Sequence, residues 1–207
     1  MISSLFAGFG LGLSLIVAIG AQNLFVLRQG LRREHVTAVV LVCALSDAVL
    51  IVVGVSGIGA VLHALPWLID AVRWAGAAFL AAYGVLAARR ALRPAGEALR
   101  LPDDGDARAA APRLAPVLLT CLALTWLNPH VYLDTVFLLG SVANTHGAQR
   151  WWFAGGAAAA SVLWFFALGL GARYLGRWLA TPKAWRVMDG GIAVVMLALA
   201  VSLVWPR

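Results

Sequence analysis

Between Val36 and Val61 the chain runs for 26 residues with a single charged side chain, Asp47. About 20 apolar residues in helical form match the hydrocarbon thickness of a bilayer. Five further apolar runs occupy most of the remaining sequence, placing helices at 4–27, 36–61, 66–90, 114–141, 149–173 and 184–205. Spans of this kind must pair every backbone polar group internally, so the fold class is all-α. Composition agrees, with 62% hydrophobic and 12% charged residues, against about 45–50% and about 25% in soluble domains. Six spans use nearly all of the 207 residues and leave no room for a soluble domain. The first apolar run lacks a basic leader and is too long for a cleaved signal, so it reads as a span.

A net charge of +7 raises the question of nucleic acid. The arginines fall in loops between apolar runs, with no basic amphipathic face and no base-stacking motif, so membrane topology explains them better. Thirteen of the 16 Lys and Arg residues flank the connections between runs 1 and 2, 3 and 4, and 5 and 6. Arg73, Arg150 and Arg207 lie on the other side. By the positive-inside rule, the three rich loops are cytoplasmic and both termini external. Tryptophans near the run ends fit interfacial belts.

The connection at 91–113, rich in Ala, Pro, Gly and charge, separates a first three-helix repeat at 1–90 from a second at 114–207. Gly57-Ile58-Gly59-Ala60 echoes Gly169-Leu170-Gly171-Ala172, and Pro66 echoes Pro182. Three spans per half force the repeats into opposite orientations, the arrangement of many secondary transporters, whose sites lie where the repeats meet. Chance similarity among Ala- and Gly-rich helices is the competing explanation for the echo.

Charges in hydrocarbon cost about 2.5–3.5 kcal/mol on insertion scales, so they tend to face a partner or a wet cavity. Asp47 has no Lys or Arg within a turn. Arg28 and Arg173 are the candidates for pairing with it from elsewhere; the other reading is substrate or proton binding. Asp134 sits six residues after Asn128-Pro129, a pair that interrupts the fourth run by removing a backbone donor. A carboxylate in low dielectric favours its neutral form and ionises as a cation approaches, which suits both cation recognition and proton exchange. In the first run, Gly20 precedes the adjacent amides Gln22 and Asn23. The breaks at Gly20 and at Asn128 fall at comparable depth from opposite faces, so helices 1 and 4 are expected to be broken. The positive N-terminus beyond such a break suits a carboxylate. Tyr132 and the deep Trp164 complete the candidate substrate-binding set; Trp126, also deep, is a candidate for lining a cavity. His130 and two distant Asp do not make a metal site. Cys43 and Cys121 belong to no C-x-x-C motif and read as small apolar residues. No P-loop or hydrolase motif is present, so the chain reads as neither an ATP motor nor an enzyme, with no cofactor.

Gly20-Ala21-Gln22-Asn23, Arg28-Gln29-Gly30, Cys43-Ala44-Leu45-Ser46-Asp47 and above all Thr125-Trp126-Leu127-Asn128-Pro129-His130-Val131-Tyr132-Leu133-Asp134 resemble the lysine exporter (LysE) family, in its arginine/lysine branch. The likeness continues through Arg150-Trp151, Ser161–Phe165 and Pro182–Arg186. Ala21 departs from a frequent proline, which bears on how far helix 1 unwinds. The resemblance implies a bacterial inner-membrane exporter of arginine, lysine or analogues such as canavanine, driven by the proton or electrical gradient, as monomer or homodimer. Asp47 and Asp134 would hold the substrate's charges or exchange protons. Gly20, Gln22, Asn23, Asn128 and Pro129 would hold its α-carboxylate and α-amine. Rival readings are export of a neutral amino acid or a metal ion, and a membrane thiol-redox protein using Cys43 and Cys121.

Overall fold

The computed structural model describes residues 1–17, 20–57, 66–92, 113–175 and 182–205. The connection at 93–112 lies outside them, as do Ile58, Gly59 and Ala60 of the internal echo and Arg93, Arg100, Arg108, Arg177 and Arg207. The helices are α1 (Ile2–Ile16), α2 (Ala21–Arg32), α3 (Val36–Val55), α4 (Pro66–Leu92), α5 (Leu114–Trp126), α6 (Pro129–Thr145), α7 (Arg150–Leu175) and α8 (Pro182–Val204). Residues Tyr132–Leu139 of α6 are π-helical. α3, α4, α7 and α8 contain stretches long and apolar enough to cross a membrane; α1 with α2, and α5 with α6, pass the same test as pairs bent by 80° and 56°.

The first run was expected to end at 27, yet α2 continues to Arg32. Leu31 is buried, and the chain reverses only at Arg33 and His35, both left-handed at φ 57° and 49°. Such a tight reversal sets α3 beside α2.

Contacts fix the direction of each helix. α1 runs parallel to α7, with Ser4 donating to Gln149 at 2.7 Å, Gly8 against Phe153 and Gly12 against Ala157. α3 runs parallel to α5 and α6, through Cys43 beside Cys121, Ser46 beside Trp126 and Gly54 against Thr135 and Val136. α4 and α8 are antiparallel, tied by Arg73 Nε donating to the Leu203 carbonyl and Arg186 Nε to the Ala91 carbonyl at 3.0 Å. Arg28, Arg90 and Asp189 thereby gather at one end of the bundle, here the basic end, with Arg32 and Arg33 close by in sequence. Met1 donates to Gln149 at the opposite end, at 2.8 Å.

α3 runs through the middle. Leu41, Leu45, Val49 and Val52 form an exposed apolar stripe, while Val39, Cys43, Ser46, Asp47, Leu50 and Gly54 are buried. The period places Asp47 on the inward face, opposite the stripe. One apolar cluster lies around Phe25, Val39, Cys43, Leu124 and Phe165, and a second around Ile51, Leu139 and Phe153. Asp47 falls between them along α3.

Candidate functional site

Asp47 is 6% exposed, and its Oδ2 accepts a hydrogen bond from the Ser161 hydroxyl of α7 at 2.8 Å. Among the described residues it has no ion pair. Arg28, one of the two arginines able in principle to neutralise it, pairs instead with Asp189 at 3.3 Å. One turn along α7, Trp164 Nε1 donates to Asn23 Oδ1 at 3.2 Å. Trp126 Nε1 donates to the Ser46 hydroxyl at 3.2 Å. Helices α2, α3, α5 and α7 therefore deliver Asn23, Ser46, Asp47, Trp126, Ser161 and Trp164 to one depth of the bundle. Gln22 Nε2 is buried there without a hydrogen-bond partner among the described residues, an orphan donor of the kind a bound acceptor would satisfy.

Two interruptions border this cluster, each bridged by a side chain. Gly20, extended at φ −127° and ψ 169°, starts α2. Asn23 Nδ2 reaches back across the junction to the Ile16 carbonyl at 2.6 Å. Asn128 is likewise extended, at φ −100° and ψ 106°, and its Oδ1 accepts from His130 N–H at 3.1 Å. Pro129 occupies the first helical position, where its missing N–H costs nothing. The Tyr132 hydroxyl donates to the freed Trp126 carbonyl at 2.8 Å. Backbone acceptors released at a junction must be re-satisfied in a membrane interior, and Asn23 and Tyr132 do this on the two sides. Gly76 of α4 packs directly on the Leu127 carbonyl, leaving no space for a Cβ.

Asp134 stands apart from these residues. It is exposed, in the π-helical stretch, four residues after His130. Its neighbours Thr135 and Val136 pack on Gly54, seven residues beyond Asp47 and so about 10 Å further along α3. Sequence reasoning left Ser161 without a role and did not weigh Asp189. Ser161 carries a weak signal, one hydroxyl at the end of the Ala-rich segment Ala157–Ser161; Asp189, like Asp47, Asp70 and Asp134, is a carboxylate within an apolar run.

The profile of the LysE type translocator family matches residues 13–206. The chain belongs to the LysE type translocator family. Among relatives of this LysE-type chain is a putative amino-acid transporter of Mycobacterium tuberculosis, 49% identical over 189 residues, covering 91% of this chain and 90% of the relative. The lysine exporter LysE of Corynebacterium efficiens is 41% identical over 219 residues, covering 95% and 96%. The arginine exporter ArgO of Serratia proteamaculans is 43% identical over 206 residues, covering 99% and 98%. No solved structure matches the LysE-type chain.

The thiols of Cys43 and Cys121 are free and lie 3.2 Å apart in the apolar cluster. Both behave as small packing residues there. Replacing both by serine is expected to keep substrate flux in proteoliposomes within about twofold of wild type, since the swap is near-isosteric and the two hydroxyls can pair with each other. A loss beyond tenfold would instead favour thiol chemistry.

Proposed function

We propose that this protein exports basic L-amino acids (arginine, lysine and close analogues) from the cytoplasm by alternating access, using the proton or electrical gradient. The observation that carries this reading is Asp47, a buried carboxylate that, among the described residues, is held by one hydroxyl and no cation. A substrate guanidinium or ammonium supplies the missing charge. Asn23, Trp164 and Gln22, whose Nε2 has no hydrogen-bond partner among the described residues, surround the same depth, and the N-termini of α2 and α6 supply N–H groups suited to the α-carboxylate. The lysine and arginine exporters among its relatives give the same substrate class.

Each bent helix pair is one broken span in this reading, and the chain is two inverted three-helix repeats, 1–90 and 114–207, joined at 91–113. Helix pairing supports it. Exchanging the halves converts the pairing of α1 and α2 with α7 into that of α5 and α6 with α3, and maps the α4–α8 and α3–α7 pairs onto themselves. The basic end faces the cytoplasm of a bacterial inner membrane, and both termini face outward. Cysteine-accessibility labelling at position 2 and position 33 tests this, with only the first reached from outside intact cells.

Flux of labelled arginine into inverted vesicles tests substrate class. Lysine and canavanine are expected to compete, whereas leucine, homoserine and manganese are not. Within that cycle Asp134, about 10 Å further along α3, exchanges the proton. Asp134→Asn is expected to keep substrate counterflow, which needs no net coupling, while abolishing acceleration by a pH gradient at fixed voltage. Unchanged acceleration would remove Asp134 from coupling.

A further inference from the structure

A second arrangement of buried charge lies at the basic end, where α2, α4 and α8 meet. Arg28 Nη2 is 3.3 Å from Asp189 Oδ1, and Arg90 Nε donates to the same oxygen at 3.4 Å. Arg28 and Asp189 are 8% and 7% exposed. Two guanidiniums share one carboxylate oxygen, leaving one net positive charge. Both separations are long beside the about 2.7–2.9 Å usual for charge-assisted bonds. Among the described residues, Arg28 Nε and Arg90 Nη2 are buried without hydrogen-bond partners. Arg90 also lies over the Tyr83 ring, 5.6 Å from its centroid. Well-packed apolar residues would brace three helices at least as firmly as this incompletely satisfied knot.

Its position gives it a use. Arg28 lies five residues beyond Asn23 on α2, about 7.5 Å towards the basic end. Between them sits an aromatic layer, with Phe25 and Tyr83 at 6.4 Å and Phe79 and Tyr83 at 6.2 Å between ring centroids. Passing outward from Asp47, the order is polar cluster, aromatic layer, ionic knot. A solute approaching Asp47 from the basic end meets the knot first.

We propose that Asp189 is the first binding site for the substrate's cationic side chain, and that Arg28 and Arg90 are resident occupants, one of which the substrate displaces to open this end. The inference rests on the proposed substrate class and export direction. Replacing one guanidinium by another conserves the charge beside Asp189, whereas adding a third cation to a cluster already positive does not. A neutral amino acid cannot make the exchange. Arg90 is the occupant that leaves: its side chain is 31% exposed, against 10% for that of Arg28. Its departure unties α4 from the knot and frees the face of Tyr83. The substrate thus shifts the closed–open equilibrium through its own interaction with Asp189.

The test uses full-length protein in proteoliposomes of uniform orientation, with arginine half-saturation measured separately from each side. Asp189→Asn is expected to raise the half-saturation about tenfold from the basic side, the effect of removing one charge-assisted hydrogen bond, and to leave the other side unchanged. Arg90→Gln is expected to lower it about threefold from the basic side by removing a competitor. Citrulline, the uncharged isostere of arginine, is expected to compete poorly from the basic side in wild type and in both variants. Equal shifts from both sides, a change in maximal rate alone, or a rise with Arg90→Gln would each make the knot a structural brace and overturn the proposal. If Asp189→Asn folds poorly, the sign of the Arg90→Gln shift decides. A wild-type protein that moves no arginine would instead defeat the export reading itself, before any variant is compared.

Discussion

Asp47→Asn is expected to yield a folded protein that exports arginine at least about 30-fold more slowly than wild type. Removing one partner from a buried, hydrogen-bonded charge pair costs about 2–5 kcal/mol, and the lower figure is about 30-fold. Asparagine keeps the shape of the side chain, and its amide oxygen still accepts from Ser161 at the 2.8 Å separation of the carboxylate. Folding is therefore preserved while the carboxylate charge is removed. Substrate counterflow in proteoliposomes separates binding from coupling: it should fall with Asp47→Asn and persist with Asp134→Asn. Ser161→Ala leaves the charge in place and removes the hydroxyl that bonds it, so a loss of about tenfold or less is expected from one hydrogen bond to a charged group. Full counterflow by Asp47→Asn would defeat the assignment of Asp47 to the substrate cation.

The sequence announces Asp47 because no other side chain in its apolar run is charged at neutral pH, and a helical period then puts it on the inward face opposite Leu41, Leu45 and Val49. Asn128-Pro129 is legible for a different reason. Proline cannot donate in a helix interior but fits a first helical position, so the pair marks where one helix stops and another begins. The partners are harder to read. Whether Ser161 or an arginine faces Asp47 depends on how α7 lies across α3, which is set by Gly169 accepting close approach of Val36 and Val40. Asp189 is hidden because its significance needs Arg28 and Arg90, brought from two other helices. Asp134 illustrates a further limit. Residues Tyr132–Leu139 adopt the wider π-helical turn, which shifts every side chain from the α-helical phase. Counting from Asn128 therefore places Asp134 on the right helix but does not fix the face it presents.

Gly54→Ala and Gly140→Ala are each expected to destabilise the protein by about 1–3 kcal/mol, the usual cost of overpacking a tight interface. At Gly54 a Cβ would lie 2.8 Å from the carbonyl oxygens of Thr135 and Val136, and at Gly140 it would lie 2.6 Å from that of Gly54. All of these atoms are backbone, so no side chain can swing aside and the helices themselves must separate. Helix association in lipid lacks a hydrophobic drive and depends on such close approach, which makes this seam between α3 and α6 sensitive to one methyl group. Gly155→Ala and Gly171→Ala serve as controls, since a Cβ at either meets nothing within 4 Å; surface changes of this kind stay within about 0.5 kcal/mol. The double variant Gly54→Ala/Gly140→Ala should cost less than the sum of the two singles, because both push the same seam apart and the second finds it already open. Thermal unfolding midpoints in detergent read all five variants on one scale. Additive losses would mean that the two glycines relieve separate clashes, and controls as damaging as the seam variants would mean that helix flexibility rather than close packing is what these positions supply.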